Sequence, residues 1–174
     1  MSYIFSYIKQ DIDSNPAKKS KFILIWFRSC QLIVGIKKKY CRILLMPIVW
    51  VYRIVIDWVM GIDLPPETRI GKGLALYHGQ GLVIGKGTVI GESCTLRHGV
   101  TIGRKLDHTG RPSRDPHIGN NVEFGAYSIL IGDIAIGDNC VIGAGTVVSK
   151  SLLANTVVVS EKFRCLSGGI NSES

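Results

Sequence analysis

From residue 118 to residue 148 an aliphatic or aromatic side chain returns every six positions, at Ile118, Phe124, Leu130, Ile136, Ile142 and Val148. Glycine follows directly at Gly119, Gly125, Gly137 and Gly143, and the fourth position on is mostly small or β-branched, as at Val122, Ser128, Cys140 and Thr146. An earlier block keeps the spacing through Ile84, Ile90, Leu96 and Ile102, with Ile70 and Leu76 ahead of it. A period of six fits neither an amphipathic helix nor an alternating hairpin strand. It is the hexapeptide pattern of a parallel β-helix, in which each hexad makes one short strand and one corner. Three hexads close a triangular coil, and stacked coils bury the apolar ladder. A glycine- and valine-rich sandwich would not hold one register over so many repeats.

The register breaks twice. Leu76 and Ile84 are eight residues apart rather than six, and a polar excursion at residues 104–117, with Pro112 and Pro116, separates Ile102 from Ile118. Departures of this kind map to loops on one face, often the binding face. His78, His98 and His117, three of the four histidines, lie at or beside these breaks. His78 and His98 each follow a ladder residue, Leu76 or Leu96, by two positions. Those ladder residues are one coil apart, so the two histidines are expected to stack at a strand spacing of about 4.8 Å. A solitary histidine ordinarily does no more than finish a turn, but three at the irregular face point to a site. Asp63, fifteen residues before His78, can orient its ring. A carboxylate on one ring nitrogen sets the tautomer and leaves the other free to take a proton from a hydroxyl. His78 is thereby the candidate general base.

At 174 residues the chain suits one domain with an appendage, and its charge divides accordingly. Residues 1–60 hold ten Lys/Arg against three acidic residues, and residues 61–174 hold eleven against ten; all three tryptophans fall in the first part. We expect a helical region over 1–60, a β-helix over 61–160 and a tail over 161–174. Ser14-Asn15-Pro16-Ala17 reads as a helix start with a capping side chain, and residues 20–60 as two or three helices. This region is expected to cap the open end of the β-helix, with a second reading as a basic, tryptophan-bearing surface for anionic lipid. Nucleic acid is not an expected partner, because the basic residues are embedded among bulky apolar ones rather than forming a polar stripe. The run 43–60 is interrupted by Arg53 and Asp57; each would cost about 2.5–3.5 kcal/mol near a bilayer centre, which argues against a span. The start of the chain does not read as a secretory signal. Five cysteines without a CxxC pair suggest neither disulfides nor a zinc knuckle, and a reducing, cytoplasmic compartment fits.

The hexads, the segment GIDLPPETRIGKGLALYHGQGLVIG, the string RHGVTIG (Arg97 to Gly103) and the string PHIG (Pro116 to Gly119) together resemble the hexapeptide-repeat acyltransferases. The likeness is closest to the serine acetyltransferase branch and, within it, to the exopolysaccharide type of colanic-acid biosynthesis. It covers residues 61–160 well and the N-terminal region loosely. The resemblance implies a homotrimer of left-handed parallel β-helices that uses acetyl-CoA, with active sites between subunits and no metal. It implies a catalytic dyad at His78 and Asp63 and a second active-site histidine at His117. It implies a pantetheine groove along Gly125-Ala126 and Gly143-Ala144-Gly145, and phosphate contacts at Lys162 and Arg164.

Two departures bear on the acceptor. Serine acetyltransferases carry an acidic residue directly before the catalytic histidine and an arginine before the second one; Tyr77 and Pro116 stand at those places. An amino acid would lose charged hydrogen bonds worth about 1.5–3 kcal/mol each, whereas a sugar hydroxyl loses none. Tyr77, Arg97, His98 and His117 are therefore expected to bind a sugar or glycan acceptor. Serine O-acetylation is the alternative. A zinc carbonic anhydrase on the same fold is disfavoured by gaps of 20 and 19 residues between His78, His98 and His117, and an idle scaffold would have no use for Asp63 or the loop histidine.

Overall fold

The computed structural model describes residues 2–160. Three helices come first, α1 (Ser2–Ser14), α2 (Lys18–Val34) and α3 (Lys39–Arg53), and α3 runs on into a π-helical segment, Ile54–Val59. Thereafter short strands wind into a left-handed parallel β-helix of about four turns.

Its three faces are parallel sheets. The first holds β1 (Arg69–Ile70), β4 (Val89–Ile90), β7 (His117–Ile118) and β10 (Ala135–Ile136). The second holds β2 (Ala75–Tyr77), β5 (Thr95–Arg97), β8 (Glu123–Phe124), β11 (Val141–Ile142) and β13 (Val157–Val158). The third holds β3 (Val83–Ile84), β6 (Thr101–Gly103), β9 (Ile129–Ile131) and β12 (Val147–Val148). The period of six accounts for this arrangement, because each hexad supplies one rung to one face. Every ladder residue from Ile70 to Val148 is buried, including Leu76, Leu96, Phe124 and Ile142 on the second face. Each such side chain contributes about 1.5–3 kcal/mol, so the coils are held by many equal increments. The fourth-position residues Val122, Ser128, Cys140 and Thr146 are buried as well.

The N-terminal region caps the first coil, as expected, through polar groups placed for the purpose. Strands β1 and β2 are the outermost of their sheets and would otherwise present unpaired backbone. Asp11 accepts from the Leu74 amide at 2.9 Å; Asn15 accepts from the Leu76 amide and donates to the Leu74 carbonyl. Ser20 donates to the Leu76 carbonyl, Gln31 to Thr68, and Arg28 to Ile70 and Gly71. Asp11 and Arg28 are themselves paired at 2.8 Å, each 1% exposed.

Two expectations need correction. Asn15 is not a helix cap: Ala17 precedes α2 without a side-chain cap, and the Asn15 side chain serves the β-helix instead. A further helix, α1, precedes the expected start, and it brings Asp11 to the coil. The excursion also ends at Pro116 rather than at residue 117. The His117 amide already donates to the Ile134 carbonyl at 2.9 Å, so His117 is the first residue of β7. Within the excursion Leu106 and Pro112 form an antiparallel bridge. The Asp107 carboxylate accepts from the Thr109 hydroxyl and from the Arg111 and Thr109 amides, which hold its pKa below the usual value.

Candidate active site

The corner between the second and third faces holds most of the candidate residues. Leu76 pairs with Leu96 and Tyr77 with Arg97, which places His78 and His98 on successive coils with ring centroids 5.9 Å apart, edge to face. The expected stack is present. The extra residues of the long interval lie in this corner, where His78, Gly79 and Gly81 all take left-handed backbone, with φ of 66°, 65° and 68°. For a residue other than glycine this is an uncommon conformation, which this chain also uses at other corners, at Ser93, Asn121, Asn139 and Asn155.

The column continues downward. Tyr127 meets His98 edge to face, with centroids 5.1 Å apart. Its amide donates to the His98 carbonyl, and the Gly145 amide donates to the Ala126 carbonyl. Gly125-Ala126 and Gly143-Ala144-Gly145 therefore occupy the same edge as His78 and His98, on later coils. A side chain at Gly99 would run into the Tyr127 ring, so that glycine makes room for it. Tyr127 is not among the residues expected from the sequence. Its signal was positional: Tyr127 stands in the left-handed slot that Gly81, Gly99 and Gly145 fill on the other coils.

Asp63 belongs to the same corner. It bridges to Val83, with its amide on the Leu82 carbonyl and its carbonyl accepting from Ile84. The Gly81 amide likewise donates to Gly61, so Gly61 to Asp63 forms the rung above Gly81 to Val83. Among the described residues no hydrogen bond joins the Asp63 carboxylate to the His78 ring; what ties Asp63 to the corner is its backbone. Asp57, from the π-helical segment, lies near enough to interact with Asp63. Burial first, and then the Asp63 charge, push its carboxyl pKa up against the opposing effect of Arg53. One Asp57 oxygen is buried without a partner, as is the Nδ1 of His98.

Tyr77 and Arg97, expected as separate acceptor contacts, form one unit: the guanidinium lies over the tyrosine ring, 5.7 Å from its centroid. His117 is not brought to this corner within the chain. It starts a strand of the first face, with its exposed ring near the Asp115 carbonyl, beside a shallow depression lined by Glu67, Arg69, Lys86 and Val89. Pro116 is buried, and its carbonyl accepts from the Val89 amide. Lys162 and Arg164 lie outside the described residues. Among the described residues, no three His, Cys, Asp or Glu side chains converge as a metal site would require. The buried thiols of Cys30 and Cys94 are pushed up to about 11 by burial, which suits packing rather than nucleophilic chemistry.

Comparison with known proteins agrees with this architecture. Residues 115–150 match the family model for bacterial transferase hexapeptide (six repeats), and residues 81–106 match that for the hexapeptide repeat of succinyl-transferase. The putative colanic acid biosynthesis acetyltransferase WcaB of Escherichia coli K12 is 43% identical over 119 residues, which is 68% of this chain and 71% of that one. A serine acetyltransferase of Helicobacter pylori is 38% identical over 109 residues, 63% of each chain. The crystal structure of serine acetyltransferase isoform 3 from Entamoeba histolytica, in complex with cysteine, superposes with a TM-score of 0.70 at 30% identity; 92% of this chain matches 60% of that one. With a hexad-built β-helix, and with the likeness to WcaB extending over more than two thirds of both chains, the chain belongs to the hexapeptide-repeat acetyltransferases, enzymes that use acetyl-CoA.

Proposed function

We propose that the protein transfers the acetyl group of acetyl-CoA to a hydroxyl of a sugar, in a nucleotide sugar, a lipid-linked oligosaccharide or a cell-surface polysaccharide. His78 takes the proton of the acceptor hydroxyl as its oxygen attacks the thioester carbonyl. The carbon–sulfur bond breaks, the proton passes to the departing sulfur, and the products are an acetyl ester and the CoA thiol. Asp63 orients the imidazole for this step. The pantetheine arm lies along Gly125-Ala126 and Gly143-Ala144-Gly145, and Lys162 and Arg164 meet the CoA phosphates. On this reading the chain works in the cytoplasm as a homotrimer. His117 on a different face supports a site completed between copies, and peripheral membrane contact falls to residues 1–60.

The choice of acceptor is carried by the Arg97–Tyr77 pair next to His78. An amino acid's ammonium would meet a guanidinium-covered ring where it needs a carboxylate, forgoing about 1.5–3 kcal/mol. A sugar ring can pack on Tyr77 and take hydrogen bonds from Arg97 and His98. The likeness to WcaB points the same way. Serine O-acetylation is the second reading, favoured by the likeness to the Helicobacter pylori enzyme. Thiol release from acetyl-CoA, measured side by side with L-serine and a cell-surface glycan preparation, separates the two. Glycan turnover is expected to exceed serine turnover; serine at or above the rate of every sugar tried overturns the proposal.

A further inference from the structure

Helix α3 is apolar on two sides. Val49, Tyr52 and, beyond the helix end, Ile56 are buried against the core. On the other side Ile43, Leu44, Ile48, Trp50, Val51 and Ile54 are 44–80% exposed. At 3.6 residues per turn these six fall within an arc of about 160°. Single exposed apolar residues are ordinary, but a contiguous face of them marks a surface that something covers. Tyr40 and Trp58, 88% and 87% exposed, stand at its two ends, and such amphipathic rings are favoured at the headgroup level of a bilayer.

Charge identifies the occupant. Residues 36–60 carry Lys37, Lys38, Lys39, Arg42 and Arg53 against one acidic residue, Asp57. Lys38 is the N-cap and Lys39 and Arg42 lie in the first turn of α3, where the helix dipole disfavours cations. None of the four residues from Lys37 to Arg42 forms an ion pair among the described residues. Helix stability is not served by this placement; an external anion would be. A second copy of the face would bring one half-buried carboxylate, Asp57, to these four cations, whereas phosphate headgroups would meet each of them. No helix of the described residues is long and apolar enough to cross a membrane, so the face lies on the surface rather than through it.

We infer that the outer face of α3 and the π-helical segment docks on an anionic lipid surface, with its side chains in the headgroup region and its N-terminal lysines on phosphates. Trp58 precedes Asp63 by five residues, so the docked face leads directly into the catalytic corner. A lipid-linked glycan presented at that surface is then the acceptor class, a consequence that rests on the sugar-acetylating reading above.

The test is sedimentation of the full-length protein with phosphatidylcholine vesicles, or with equal parts phosphatidylcholine and phosphatidylglycerol. Binding is expected only to the anionic vesicles and is expected to weaken as salt screens the charges. Replacing Lys37, Lys38 and Lys39 together with Gln should weaken it roughly 100-fold, and Leu44→Glu with Val51→Glu should abolish it. Both variants alter exposed positions, so their melting temperatures and acetyl transfer to a soluble glycan should match the parent. Absence of parental binding at low salt, or binding indifferent to the glutamates, overturns the inference. So does a change of oligomeric mass in the glutamate variant without parental vesicle binding, which would make the face a contact between copies. Vesicle binding without sugar acetylation counts against the acceptor reading alone.

Discussion

His78 projects from a left-handed backbone in the corner that the two extra residues widen, and nothing in the described chain hydrogen-bonds its ring. In the proposed mechanism its exposed ring meets a hydroxyl from outside the coil, while the coils below place His98 and then Tyr127 beneath it. At this scale we expect His78→Ala to lower turnover by about 10²–10⁴-fold, the usual range for a positioned acid–base group. Asp63→Asn should cost less, because in the orienting role proposed for Asp63 an amide can still hold the ring although it no longer stabilises the imidazolium. Single-turnover rates with acetyl-CoA decide this, and full activity in the His78 variant would remove it from the mechanism. The pair of stacked histidines was legible in the sequence because Leu76 and Leu96 are ladder residues one coil apart. Tyr127 was not, because its contact with His98 depends on the space left at Gly99.

Among the elements, the strands follow from spacing, while the cap follows from chemistry that spacing does not express. Asp11, Asn15, Ser20 and Arg28 are buried polar residues on or beside two helices, and each satisfies backbone of β1 or β2 or a partner that does. Asn15 fits the pattern of a helix cap, yet the unpaired strand edge competes for its side chain and wins. Removing one member of a buried ion pair typically costs about 3–5 kcal/mol. Asp11→Ala should therefore lower the urea midpoint strongly, since it leaves the buried Arg28 charge without its carboxylate and the Leu74 amide without an acceptor. Asn15→Ala should cost about 1–3 kcal/mol through the unmet Leu76 amide and Leu74 carbonyl. An unchanged midpoint in both variants would mean that the cap contributes nothing to stability.

For the whole molecule, the arrangement of faces has a consequence for assembly. His78 lies at the corner between the second and third faces, and His117 opens a strand of the first, so one chain does not bring them together. If catalysis needs both, it needs two copies. Separately purified His78→Ala and His117→Ala proteins are each expected to be nearly inactive. Co-expressed, they should form trimers in which some sites draw an intact histidine from each copy, recovering roughly a quarter of parental activity for random mixing. Additive, negligible activity in the co-expressed protein, or a monomer by light scattering, would show that each site is built within one chain.

The hexad period, the buried ladder, the position of the excursion and the stacking of His78 on His98 were all legible along the chain. They are set by local register, since in a solenoid each residue's neighbours lie a constant number of positions away. Other features depend on surfaces that meet from distant parts of the sequence. Asn15 was diverted to a strand edge some sixty residues on, Arg97 was laid over Tyr77, and His117 was turned onto a different face from His78. The outward apolar side of α3 belongs with these. The sequence alone shows α3 to be apolar, but which side would be buried was decided only when Val49 and Tyr52 found the core and left Leu44, Trp50 and Val51 in the open.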